Sequence, residues 1–130
     1  MTSLASETEA SRALLVSMYD AVGQGDFATV LGLLAEDILV TEPSFLPYGG
    51  TYKGREAFQA FAGDAMQHLD VAKMVVERII ADGDRVIAIL RVRALGTGED
   101  VVLAEESLVR EGQIAEIRVY CHDSQGLHQG

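Results

Sequence analysis

Three charged residues, Arg91, Arg93 and Glu106, fall by strand counting on one otherwise apolar surface, a setting in which charges either pair or meet a ligand. A two-residue turn at Glu111-Gly112 puts Arg110 opposite Gln113. Pairing outward sets Glu106 against Ile117, Ala104 against Val119 and Val102 against Cys121. One face then carries Val102, Ala104, Glu106, Leu108, Ala115, Ile117, Val119 and Cys121, apolar but for a single acid. The other sets Glu105 against Arg118, Ser107 against Glu116 and Leu103 against Tyr120, the cross-strand pairing of a wetter surface. If residues 96–99 form a four-residue loop, Arg93 pairs with Val102 and Arg91 with Ala104, on the face of Glu106. A one-residue slip would send them outside. A charge on an apolar face costs several kcal/mol unless paired. The three residues therefore form a structural ion-pair network, or they hold a ligand, for which an arginine pair suits a carboxylate.

Other residues able to do chemistry stand apart. Glu42 ends a short apolar run and precedes Pro43, a place where an acid is either solvated or turned into a pocket. Tyr48 and Tyr52 flank Gly49-Gly50; either hydroxyl could donate to a ligand, or both rings could pack at a rim. His68, His122 and His128 are dispersed without ligand spacing, which predicts no metal site. Cys121 is expected to be a small buried hydrophobe, since nothing beside it would activate a thiolate. No phosphate loop, dinucleotide fingerprint or Ser-His-Asp order is present.

The elements that must position these residues follow from periodicity. Ser6 and Glu9 form a capping box that predicts a helix from Glu7, with Leu14, Leu15, Met18 and Val22 on one face and Gly23 and Gly25 ending it. Asp26 caps a second helix carrying Phe27, Val30, Leu31 and Leu34. A short strand at 38–42 precedes a loop at 43–54 that holds both prolines, and a third helix spans 55–68. Residues 74–81, 85–95, 100–109 and 113–122 are rich in Val and Ile and separated by hairpin-type turns, predicting an antiparallel meander. Helices first and strands after give an α+β domain with helices on one face of a sheet. Leu103, Val109, Ile114 and Tyr120 would make the outer face apolar enough to dimerise.

Composition bounds the function. The chain has 130 residues, with 20 Asp+Glu against 10 Lys+Arg and a formal net charge of −10. Scattered bases on an acidic chain argue against nucleic acid. The length fits one domain over 1–130, with an ordered core at about 6–123 and a tail at 124–130. No apolar run approaches the roughly 18 residues of a membrane span. One cysteine and a polar, acidic N-terminus fit a cytoplasmic protein.

In order, these pieces resemble the nuclear-transport-factor-like cone fold, and within it the SnoaL-like polyketide cyclases with ketosteroid isomerase and limonene epoxide hydrolase. The resemblance spans 11–123. It rests on Gly25-Asp26, on Leu34-Ala35-Glu36-Asp37, on the stretch from Pro47-Tyr48-Gly49-Gly50 to Ala57, and on the last hairpin through Tyr120-Cys121-His122-Asp123. It implies a cone-shaped α+β barrel, with three N-terminal helices on a curved, mostly antiparallel sheet around an apolar pocket. It also implies a homodimer through the sheet, a small-molecule ligand and no metal or organic cofactor. Glu42 matches the isomerase's general base, the acid before a proline at the end of the first strand. Its oxyanion tyrosine falls at Met18, with Tyr19 read as pointing elsewhere. Its second oxyanion donor falls at Glu105 or Glu106, and the face count selects Glu106. In the hydrolase pattern Arg91 matches the arginine, but Arg93 and Val119 occupy its acid positions. The resulting expectation is an isomerase, cyclase or hydrolase with Glu42 as base and Glu106 or Arg91 stabilising an oxyanion. Arg93, Tyr48, Tyr52, Met18, Ile117 and Val119 would line the ligand site. The alternative is a non-catalytic module binding a hydrophobic or anionic molecule.

Overall fold

The computed structural model describes residues 3–121; the expectations for His122, His128 and the tail 124–130 lie outside them. Helix α1, Leu4–Gly23, begins one turn before the expected Glu7, because Ser3 rather than Ser6 is the cap. The Ser3 hydroxyl accepts from the Ser6 amide at 3.1 Å, and nothing between them breaks a helix. Gly25, at φ 71°, turns the chain out of α1. The Asp26 carboxylate accepts from the Thr29 amide and caps α2, Phe27–Leu33.

Leu34 does not continue α2 but opens strand β1, Leu34–Glu42. The alternation that reveals a strand fails at its start because the register against its neighbour shifts between Leu34 and Leu39. Arg55 donates from Nε and Nη2 to the Leu34 carbonyl at 3.1 and 2.6 Å, satisfying the backbone at that irregularity. The glycine-rich loop conceals β2, Gly50–Lys53, which pairs antiparallel with β1 from Glu42↔Gly50 to Leu39↔Lys53. Helix α3, Arg55–Met66, and a 3-10 turn at Val71–Lys73 follow. The meander is β3 (Val75–Asp82), β4 (Arg85–Arg93), β5 (Asp100–Arg110) and β6 (Gln113–Cys121).

Among the described residues six strands form one mixed sheet in the order β2-β1-β6-β5-β4-β3, in which β1 and β6 pair parallel and the other neighbours antiparallel. It is an open sheet with β2 and β3 at its edges, not a closed barrel. The architecture is α+β, three helices against a six-stranded sheet. The core joins Leu15 and Met18 of α1, Val30 of α2 and Phe58 of α3 to Ile38, Leu90, Leu103 and Val119 of the sheet.

One bulge decides which charges face that core. The Glu111-Gly112 turn has positive φ at both residues (52° and 75°), and Arg110 pairs with Gln113 as expected. Val109 then pairs with Ile114 but Leu108 with Glu116, leaving Ala115 as an extra residue on β6. Beyond it Glu105, not Glu106, shares a face with Val119, and Glu106 lies opposite Arg118. Ile117 and Val119 stay inside, while on β5 the buried set becomes Val101, Leu103 and Ser107. Leu103 and Ile114 therefore leave the expected outer surface for the core, and Val109 is half-buried.

The arginines follow Glu106 outward. β4 pairs Arg91 with Val102 and Arg93 with Asp100, two residues from the expected register, which preserves the shared face. That face is the solvent side, because Val86, Ala88, Leu90 and Val92 take the other. Arg91 meets Glu77 at 3.3 Å, Arg93 meets Asp100 at 3.6 Å, and Glu106 meets Arg85 at 3.4 Å, all on the surface. Such exposed pairs contribute little to stability.

Candidate active site

Two carboxyls, neither among the arginines, meet an apolar cavity of about 120 Å³. Its walls come from α3 (Phe61, Ala62), from Leu69 and from the inner sheet face (Val92, Leu103); Glu42, Tyr48 and Glu105 supply its functional groups. A larger, shallower groove of about 520 Å³ runs along α1, but its acids Glu7, Asp84 and Glu111 are all exposed, whereas Glu42 at the smaller cavity is buried.

Glu42 ends β1 at 5% exposure, where alternation along the strand turns it inward with Val40 and Ile38. Burial, and secondarily the charge of Glu105, push its carboxyl up to about 9, so it keeps its proton at neutral pH. Burial also raises Glu105, but the Tyr19 hydroxyl donates to its Oε1 at 2.8 Å and pulls in the opposite direction. Of the two acids, Glu105 is the one whose carboxyl accepts a side-chain hydrogen bond that favours the ionised form. Tyr19 in turn is held far above the usual phenol range by burial and by the Glu105 carboxylate.

Tyr48 is 3% exposed, and its hydroxyl is enclosed without a hydrogen-bond partner among the described residues. A buried, unpaired hydroxyl is costly, so this one is a donor in want of an acceptor. The loop holds it in place. Leu46 donates to the Pro43 carbonyl at 3.1 Å and Gly49 to the Leu46 carbonyl at 3.0 Å. A Cβ at Gly49 would collide with the Pro43 carbonyl oxygen, so only glycine permits this close return. The Tyr48 ring packs 5.7 Å from that of His68 and 6.2 Å from that of Phe61, while the Tyr52 hydroxyl donates to the Tyr48 carbonyl at 2.9 Å. Burial, then the charges of Glu42, Cys121 and Glu105, raise the Tyr48 phenol well above its usual range, so it stays a donor. Burial and Glu42 push the Cys121 thiol up to about 11, which keeps it from becoming a thiolate.

The expected residues thus separate. Glu42 and Tyr48 lie at the cavity, and Tyr52 braces it from outside against Phe61, ring centroids 5.0 Å apart. Met18, Ile117 and Val119 are core side chains on the inner side rather than cavity lining. Arg91, Arg93 and Glu106 are on the opposite face of the sheet. Sequence reasoning chose Met18 over Tyr19 and Glu106 over Glu105. The available signal for Tyr19 was its spacing of four from Leu15, which puts it on the buried face of α1.

The family model for the SnoaL-like domain matches residues 15–117. The chain belongs to the SnoaL-like family. This SnoaL-like domain is similar to Bal32a from a soil-derived mobile gene cassette, at 27% identity and a TM-score of 0.78, over 90% of this chain and 92% of that one. It shares 24% identity and a TM-score of 0.75 with an NTF2-like protein from Burkholderia xenovorans LB400, over 92% and 94% of the two chains. A putative ketosteroid isomerase from Kribbella flavida DSM 17836 matches at 19% identity and a TM-score of 0.73, over 95% and 86%. No curated protein matches this chain.

Proposed function

We propose that this chain is a small-molecule enzyme of the isomerase, cyclase or hydrolase type that moves a proton on an apolar, carbonyl-bearing substrate, without a metal or organic cofactor. The observation that carries the reading is the pairing of two desolvated carboxyls with the orphan Tyr48 hydroxyl in one apolar cavity. The roles differ from those expected. Glu105, whose carboxyl accepts from and is oriented by Tyr19, is the base that takes the proton from the carbon next to the carbonyl. Glu42, protonated at neutral pH, and Tyr48 donate hydrogen bonds to the oxygen on which negative charge develops. The C–H electron pair passes into the enolate, and the proton held on Glu105 returns to carbon in the product. The low polarity of the walls strengthens both donors. The likeness in fold to a putative ketosteroid isomerase supports this reading.

Exchange of the α-protons of 2-butanone in heavy water, followed by NMR, tests this without knowledge of the natural substrate. The native chain should accelerate exchange, and Glu105→Gln should lose about two to four orders of magnitude of it. Exchange by Glu105→Gln at the native rate would refute the assignment. Ketone binding with no exchange would favour the alternative, a binding module, for which Val119 in place of a last-strand acid is the supporting feature. Among the described residues the side chains lining the cavity are apolar or acidic apart from Tyr48, which supports a neutral rather than an anionic ligand.

The remaining expectations stand as parts of the same proposal. The inner sheet face and three helices form a cone-like pocket in one domain over 1–130. The outer sheet face exposes Val75, Ile80, Ile87 and Tyr120, and this supports a homodimer through it. The acidity of the chain supports the expectation that nucleic acid is not a partner; among the described residues no helix is long and apolar enough to cross a membrane. The lone free Cys121 supports a cytoplasmic setting.

A further inference from the structure

A second hollow lies against the cavity. A groove of about 220 Å³ runs between α2 and α3, floored by Leu31, Phe58 and Gly63, with Gln59 as its one polar side chain. Phe27, Ala62 and Met66 line both hollows, so a single wall of side chains divides the groove from the cavity. Met66 at that wall is 39% exposed, and its unbranched side chain can swing between positions.

Gly63 is the second observation. It sits inside α3 with ordinary helical backbone, where glycine is disfavoured relative to alanine. A Cβ built there would meet nothing within 4 Å, so neither backbone nor packing demands glycine. What its missing side chain provides is room in the groove. The cavity itself, at about 120 Å³, is well below the usual size of a ligand site, roughly 300 Å³ and upward, and takes only a small polar head.

We propose that the groove between α2 and α3 is an annex of the site that receives the alkyl tail of a substrate whose carbonyl head occupies the cavity, making the substrate an aliphatic carbonyl compound with an unbranched tail. This rests on the function proposed above, and the experiment separates the two. 2-Alkanones from 2-butanone to 2-decanone are titrated into the native chain, Gly63→Leu and Gly63→Ala, with affinities read by NMR. In the native chain affinity should rise about fourfold per added methylene while the tail fills the groove. Gly63→Leu should bind 2-butanone as the native chain does and lose the rise with tail length. Gly63→Ala, which favours the helix and fills less space, should shorten the range over which affinity rises. A flat series in the native chain with 2-butanone still bound, or an undiminished rise in both variants, overturns the annex and leaves the head site standing. Failure of every ketone to bind overturns the head site and the annex with it.

Discussion

Replacing Glu42 with glutamine should stabilise the protein, and increasingly so as pH rises. The folded chain holds the Glu42 carboxyl at about 9 against an ordinary value of 4.5. A carboxyl raised on folding contributes fully below the unfolded value and loses that contribution as pH climbs to the folded one. At pH 7 the unfolded chain has released this proton and the folded chain has not. The pH then stands about 2.5 above the ordinary value, which at about 1.4 kcal/mol per pH unit costs about 3 kcal/mol. By pH 9 the cost approaches about 6 kcal/mol, large against the roughly 5–15 kcal/mol total stability of a domain. Glutamine has nearly the same shape, donates a hydrogen bond from its amide and does not titrate, so it removes the cost at every pH. Urea unfolding of both proteins at pH 5, 7 and 8.5 measures the difference. With a slope of about 2 kcal/mol per molar urea, the midpoint of Glu42→Gln should lie about 1.5 M above the native one at pH 7, with the gap nearly closed at pH 5. Glu105 is present in both proteins, so its own titration largely cancels. A stability difference that stays constant from pH 5 to 8.5 would show that Glu42 ionises normally in the folded chain, and the acid–base assignment built on it would fall.

Tyr19→Phe removes the donor to Glu105, a hydrogen bond to a charged group worth about 1.5–3 kcal/mol. Its melting temperature at pH 8 should fall, and the acidic limb of the α-proton exchange rate against pH should move upward; an unmoved limb would mean that Tyr19 does not tune the base. Ile87→Glu places a charge amid the exposed apolar residues of the outer sheet face. Sedimentation at micromolar concentration should find the native chain dimeric and the variant monomeric, and a native monomer removes the dimer from the proposal.

Local chemistry settled much of this protein from its residues alone. The Asp26 cap, the glycines that end α1, the Glu111-Gly112 turn and the period-two strands of the meander all depend on neighbours in sequence, and each forms where the residues predict. The β4 pattern also carried a usable signal: Val86, Ala88, Leu90 and Val92 form a wholly apolar face, while the other carries Arg85, Arg91 and Arg93 beside Ile87 and Ile89, which favours the arginines facing water. Counting from the hairpin overrode it. What only the tertiary structure decided is the face on which each β5 side chain lies. A bulge at Ala115 has no distinct composition. It exists because β6 must keep Ile117 and Val119 in the core while pairing with β1 on one side and β5 on the other. One extra residue exchanges Glu106 for Glu105, and the exchange brings the acid within reach of Tyr19 on a helix 86 residues earlier in the chain. The same holds for ionisation: Glu42 is an ordinary carboxyl in sequence, and only the enclosure by α3, the loop and the inner sheet face makes it an acid that keeps its proton.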